Sequence, residues 1–194
     1  MVYSLIKKKP YDTIDHCILL WKLYHYGIKG IINDRFHTYL TDSVQSTQIG
    51  SEVSTNLPLV CGVPQGSVLG PLFFFLYVND LCTSSDKLLF YLFANDTNLL
   101  YSDKDINSLE RVVNVKLSKV QEWLVANKLT FNAKKSNFVI FHHFQTNLIV
   151  PHDILKIFDI DTNESVLLDQ KTYIIIILTN WLIQILHGTT IFPT

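Results

Sequence analysis

Apolar residues recur at close to helical intervals from His16 to Tyr26, through Ile18, Leu19, Trp21 and Leu23, and Gly27 supplies a stop. A second short helix is expected from Ile31 to Leu40. Val44 to Ile49 and Val53 to Leu57 are rich in β-formers and separated by Gly50-Ser51, the pattern of a strand pair. The loop Gly62-Val63-Pro64-Gln65-Gly66 then opens a long apolar stretch, Val68 to Leu81, which reads as a buried helix beginning near Pro71. Leu88 to Ala94 and Thr97 to Tyr101 are β-prone runs flanking Asn95-Asp96, so a tight hairpin with polar residues at its tip is expected. The clearest helix starts at Asn107, with Leu109, Val112, Val113, Lys116, Val120, Trp123 and Leu124 at helical spacing and Asn107 with Glu110 as the expected capping pair. Phe138 to Phe141 and Tyr173 to Leu178 read as strands, with a less patterned linker from about Gln145 to Gln170 between them.

Strands alternating with helices around an obvious hairpin predict an α+β fold, a sheet with helices packed on one face. With 194 residues, 48% of them hydrophobic, the chain can bury one real core, so a single domain or part of one is expected. Composition narrows the function classes. Sixteen basic residues against 17 acidic ones leave a charge of -1, far from the basic footprint of a strong nucleic-acid binder, so any such partner must be met locally. The dense basic spots are Lys7, Lys8 and Lys9, then Lys134 and Lys135. Cys17, Cys61 and Cys82 form an odd count without metal-ligand spacing, which suggests reduced, partly buried thiols and an intracellular setting, cytoplasm or nucleus. The apolar-then-lysine order of Met1 to Pro10 is the reverse of a secretory signal, and Tyr173 to Leu186 falls short of a membrane span. No membrane partner is expected.

Fold alone does not give function. Phosphoryl transfer to a growing strand needs two divalent ions that activate the attacking hydroxyl and stabilise the leaving group, and such hard cations want carboxylate oxygens. The tip of the Leu88 to Tyr101 hairpin is where that chemistry could sit.

Four strings, taken in order, carry a specific resemblance. Tyr11-Asp12-Thr13-Ile14-Asp15-His16 with Leu19-Leu20 looks like the end of a first palm motif. Cys61 through Leu72, followed by Asn79-Asp80-Leu81, is nearly a second motif as it stands. Phe93-Ala94-Asn95-Asp96-Thr97 resembles the metal-binding hairpin, usually aromatic-Ala-Asp-Asp, and Leu129 through Ser136 with Phe141 resembles the motif after it. Together they resemble the reverse transcriptase of a LINE-type (non-LTR, jockey-like) retrotransposon over about residues 6 to 180.

The resemblance implies a polymerase palm-like antiparallel sheet with helices on one face, incomplete because fingers and thumb are missing. Residues 1–145 would be the palm core and 146–194 a degenerate palm end leading toward the thumb. It implies Mg2+ or Mn2+ as cofactor and an RNA template and DNA primer as partners in the parent family, with weak nucleic-acid binding here. Gly62, Gln65, Gly66 and Ser67 would form the loop by which the backbone approaches template base and nucleotide, the alternative being a structural helix-opening turn. Tyr11 would floor the sugar pocket, or is a core tyrosine. Lys135 would neutralise the leaving pyrophosphate, or is a solvated lysine.

The departures from the family pattern bear on activity. The first metal-binding aspartate, five positions before the sugar-pocket aromatic, falls on Ile6, and the first aspartate of the hairpin pair is Asn95. Isoleucine cannot ligate a metal, and an amide offers one weak oxygen where a carboxylate is wanted. Asp96 alone survives; Asp12 and Asp15 align with residues that lead into the following helix. The family's Tyr-Leu-Gly turn appears as Tyr173-Ile174-Ile175-Ile176. The expected reading is a catalytically inactive reverse transcriptase fragment; the alternative is a domesticated or unselected remnant that binds nucleic acid or protein at most.

Overall fold

The computed structural model describes residues 2–6, 11–64, 66–93, 96–130, 132, 135–141, 156–159, 164–167 and 169–170. Its centre is a five-stranded sheet in the order β11 (Asp169–Gln170), β8 (Asn137–Val139), β1 (Val2–Ile6), β7 (Asp96–Leu100), β6 (Leu89–Phe93). All pairings are antiparallel except β11 with β8, which is parallel. The remaining strands are short: β2 (Val44–Gln45) pairs β5 (Leu57–Pro58), β3 (Gln48–Ile49) pairs β4 (Glu52–Val53), and β9 (Lys156–Asp159) pairs β10 (Glu164–Leu167).

Among the described residues there are four α-helices; they follow the apolar spacing, and α1 and α4 also have side-chain caps. In α1 (His16–His25) the carboxylate of Asp15 accepts the Ile18 N–H at 3.0 Å, and His16, Leu19, Lys22 and Leu23 make the buried stripe. The chain reverses through Gly27 and Gly30 into α2 (Ile31–Thr41), whose Phe36 meets Phe73 edge-on at 5.0 Å. α3 (Leu69–Val78) is apolar almost all round and runs on as a 3-10 turn over Asn79–Ser84. α4 (Ile106–Ala126) buries Leu109, Val113, Leu117, Val120 and Leu124, one residue per turn.

The core lies between these helices and one face of the sheet. Phe73, Phe74 and Tyr77 of α3 are fully buried with Leu19 and Leu23 of α1 and with Leu99 of β7, while Thr97 and Phe138 are shielded on the same sheet face. Each such apolar side chain contributes about 1.5–3 kcal/mol relative to exposure. Leu89, Tyr91 and Phe93 point to the other face and are exposed. The sheet therefore has one covered and one open side, as an antiparallel α+β layer requires.

Several expectations need correction. The cap of α4 is Asp105, whose extended backbone lets its carboxylate accept the Ser108 N–H at 2.8 Å; the helix starts one residue before Asn107 and leaves the Asn107–Glu110 pair no capping role. The linker around residues 145–170 contains β9, β10 and β11, strands of two to four residues with too few apolar positions for alternation to show. All three cysteines are exposed and free: Cys17 lies on the solvent side of α1, Cys61 bridges to Asp15, and Cys82 lies in the 3-10 turn Asn79–Ser84. The expected strand Tyr173 to Leu178 lies outside the described residues, as do Lys7, Lys8, Lys9 and Lys134. Among the described residues no helix is long and apolar enough to cross a membrane.

Candidate functional site

The hairpin of β6 and β7 brings Phe93 opposite Asp96, and on the other side of β7 the register sets Ile6 opposite the same Asp96. Facing partners in an antiparallel ladder share a face, with Cα atoms about 4.5–5.5 Å apart. Asp96 is exposed, on the open side with Phe93 and Tyr91, whereas Thr97 beside it is fully buried. Positions 6 and 96, ninety residues apart, thus meet at one end of the sheet. Lys135 is exposed two residues before Asn137, and Asn137 pairs with Ser4, so it comes to that same end. Asn95 and Gln65 lie outside the described residues.

A second constellation straps the Tyr11–His16 segment to the Gly62 loop. Gly62 N–H donates to the Ile14 carbonyl at 2.7 Å, Val63 N–H to the Tyr11 carbonyl at 2.8 Å, and His16 Nε2 to the Gly62 carbonyl at 2.6 Å. Gly62 has φ +81°, and a Cβ there would sit 2.9 Å from the Tyr11 oxygen and from two backbone atoms of Asp12. Its missing side chain is what lets the two segments touch. Gly66 has φ +83° with open space around it. Ser67 Oγ donates to the Pro64 carbonyl at 2.8 Å and accepts the Gly70 N–H at 3.0 Å, so it closes the turn that opens α3. The half-buried Tyr11 ring packs on Phe74 at 5.1 Å. A cavity of about 920 Å3 adjoins this strap, lined by Asp12, Cys61–Pro64 and the β2–β5 pair.

Asp15 is committed elsewhere. Besides capping α1 it takes an ion pair from Lys128 at 2.5 Å. Burial pushes its pKa up, but the Lys128 hydrogen bond, the Ile18 N–H and the Lys128 charge together hold it below the usual aspartate value. Sequence reasoning missed the charged knot behind it. Lys22, inside the apolar stripe of α1, donates to the Tyr77 carbonyl at 2.7 Å and to Asp80 at 2.5 Å, and its ammonium lies 4.6 Å from the Trp123 ring centre. The available signal was a lysine on a stripe otherwise apolar, together with an aspartate inside the second motif.

Two divalent ions would need several carboxylate oxygens converging. The rung that joins β1 to β7 offers Asp96 and, across from it, an isoleucine. Among the described residues no group of three or more His, Cys, Asp or Glu is placed to hold a metal ion. The described donors do not fit a two-metal centre.

Setting a hairpin carboxylate against the end of a neighbouring strand, on the face the helices leave open, is palm construction, and the fold class is a partial polymerase palm. Telomerase from Candida tropicalis, apo and truncated from its C-terminal domain, superposes with a TM-score of 0.56 at 15% identity, over 86% of this chain and 35% of that one. Telomerase from Candida albicans, in complex with a TWJ fragment of telomeric RNA, gives 0.54 at 18% identity, over 76% of this chain and 27% of that one. The family follows from sequence: the chain belongs to the reverse transcriptase (RNA-dependent DNA polymerase) family, whose pattern matches residues 2–173. Its relatives place it with the LINE-type enzymes. The probable RNA-directed DNA polymerase from transposon X-element of Drosophila melanogaster is 26% identical over 151 residues, 68% of this chain and 17% of the relative. The RNA-directed DNA polymerase from mobile element jockey of the same fly is 27% identical over 111 residues, 54% of this chain and 12% of the relative. The Pol polyprotein from the type-1 retrotransposable element R2 of Popillia japonica is 27% identical over 118 residues, 55% and 19%. The chain spans less than a fifth of these curated relatives' length.

Proposed function

We propose that this chain is the palm portion of a non-LTR retrotransposon RNA-directed DNA polymerase and that it does not polymerise. The observation that carries the proposal is the rung Ile6–Asp96, which sets a residue without ligating atoms where the resemblance asks for a metal-binding aspartate. The amide of Asn95 in the hairpin supports the same reading. Residues 1–145 act as the palm core and 146–194 as its end, kept together by β11 beside β8. Tyr11 and the Gly62, Gln65, Gly66 and Ser67 loop are the remains of the sugar pocket and template contact, and Lys135 of the pyrophosphate contact. RNA template and DNA primer are the ancestral partners in an intracellular setting, and with a net charge of -1 this chain holds their duplex weakly.

The test is primer extension by the purified chain on an RNA template with Mg2+ or Mn2+. No incorporation is expected. Template-dependent incorporation that vanishes in Asp96→Ala overturns the proposal, because it would make Asp96 part of a working metal centre.

A further inference from the structure

From His16 to Asn33 the chain holds no aspartate or glutamate, although it has 17 acidic residues in 194 overall. Lys22 in this stretch is buried and paired with Asp80. What faces solvent is a run of rings ending in a cation. Trp21 is 62% exposed and Tyr24 49%. His25, one helical turn after Trp21, lies against it with ring centres 3.9 Å apart and meets Tyr24 edge-on at 5.8 Å. Its Nδ1–H donates to the Trp21 carbonyl at 2.8 Å, which fixes the imidazole. The Lys29 ammonium lies 4.6 Å from the Tyr24 ring centre.

Single exposed apolar residues are ordinary, but contiguous exposed rings held in place against one another offer a binding surface. We propose that Trp21, Tyr24, His25 and Lys29 form a stacking platform for single-stranded nucleic acid, with bases on the Trp21 and Tyr24 rings and a phosphate at Lys29. Every base offers a π-face, so rings with one neighbouring cation bind a strand without reading its sequence. A duplex hides those faces and would have to be held by phosphate contacts, for which this surface offers the single cation Lys29. The run from His16 to Asn33 itself adds no carboxylate to repel a polyanion. α1 packs on the covered side of the sheet, so the platform is separate from the face that carries Asp96 and the inference does not rest on the palm's activity.

The experiment is fluorescence anisotropy of the full chain with a labelled oligothymidylate and with a duplex of equal length. The single strand should bind more tightly, and Trp21→Ala should weaken it about tenfold or more. Lys29→Ala should weaken it less and reduce the log–log salt slope by about 0.7, the value for one phosphate contact on a single strand. Val115→Ala, exposed on α4 and outside the hairpin, should leave it unchanged. Circular dichroism checks that each variant folds, and ultraviolet crosslinks should map to Trp21 or Tyr24. Equal affinity of Trp21→Ala and the parent chain overturns the proposal, as does a loss confined to Val115→Ala. Self-association abolished by Trp21→Ala, with no strand bound, assigns the surface to a second copy of the chain instead.

Discussion

Lys22 and Asp80 close an ion pair of 2.5 Å in which the lysine side chain is 5% exposed and the aspartate 36%. The asymmetry predicts unequal mutational costs. Removing Asp80 strands an ammonium inside the protein, whereas removing Lys22 leaves a carboxylate that water can still reach. Breaking a buried pair by deleting one partner costs about 3–5 kcal/mol when the other cannot be solvated. Asp80→Ala should therefore cost about 3 kcal/mol and Lys22→Met less than half of that, read from urea denaturation midpoints. Equal costs, or a costlier Lys22→Met, would show that the aspartate is the trapped charge.

Tyr77 makes the same knot sensitive to alkali. Its hydroxyl donates to the Asn127 carbonyl at 2.8 Å, and burial, with Asp15 and Asp80 nearby, pushes its pKa up to about 12. Unfolded, it ionises near 10. A folded-state pKa above the unfolded one gives stability that is complete below pH 10 and is lost as pH rises from 10 to 12. Lys22 acts in the opposite sense: burial lowers its pKa, so its contribution improves as pH rises through that lowered value toward 10.5. Tyr77→Phe should cost about 1 kcal/mol at neutral pH through the lost hydrogen bond. Between about pH 9 and about pH 11 its stability should fall less than that of the parent chain. Parallel curves for the two proteins would remove Tyr77 from the alkaline transition.

The helices and the hairpin were legible because burial there is one-sided and leaves a period: Leu19 and Leu23 in α1, Leu109 through Leu124 in α4, Thr97 and Leu99 in β7. Strands of two residues such as β2 and β11 carry no period, and their pairing depends on what lies beside them. The meeting of positions 6 and 96 followed only from family resemblance, since nothing local links a strand to a hairpin ninety residues later. The platform at Trp21 was hidden by the rule that found α1, because Trp21 fits the apolar spacing yet faces water.

Gly62 and Gly66 differ in a way that separates backbone strain from contact. Both have positive φ, so an alanine at either is strained by about 1 kcal/mol. At Gly62 the added Cβ also meets backbone atoms of Tyr11 and Asp12 at 2.9 Å, which a flexible side chain cannot relieve. Gly62→Ala should therefore destabilise by about 2–3 kcal/mol against about 1 kcal/mol for Gly66→Ala, read as a difference in thermal midpoint. Similar shifts would mean that the strap between the two segments yields easily and does not hold the loop.

Restoring the missing carboxylates tests the register directly. Ile6→Asp would set a second carboxylate across one rung from Asp96, and Asn95→Asp would add the hairpin partner that the family pattern calls for. Oxygens at that spacing can share a hard cation. The double variant should bind Mn2+ measurably more tightly than the parent chain by calorimetry, and added Mn2+ should raise its thermal midpoint because the ion favours the folded state alone. Primer extension should stay absent, since catalysis also requires primer and nucleotide to be held in line, and much of the barrier reduction comes from that positioning. An unchanged Mn2+ affinity would show that positions 6, 95 and 96 do not converge, which would undo the assignment of this corner as the relic of a metal centre. Template-dependent synthesis by the double variant would show that the chain retains every other part of the polymerase site and lost its activity at these two positions alone.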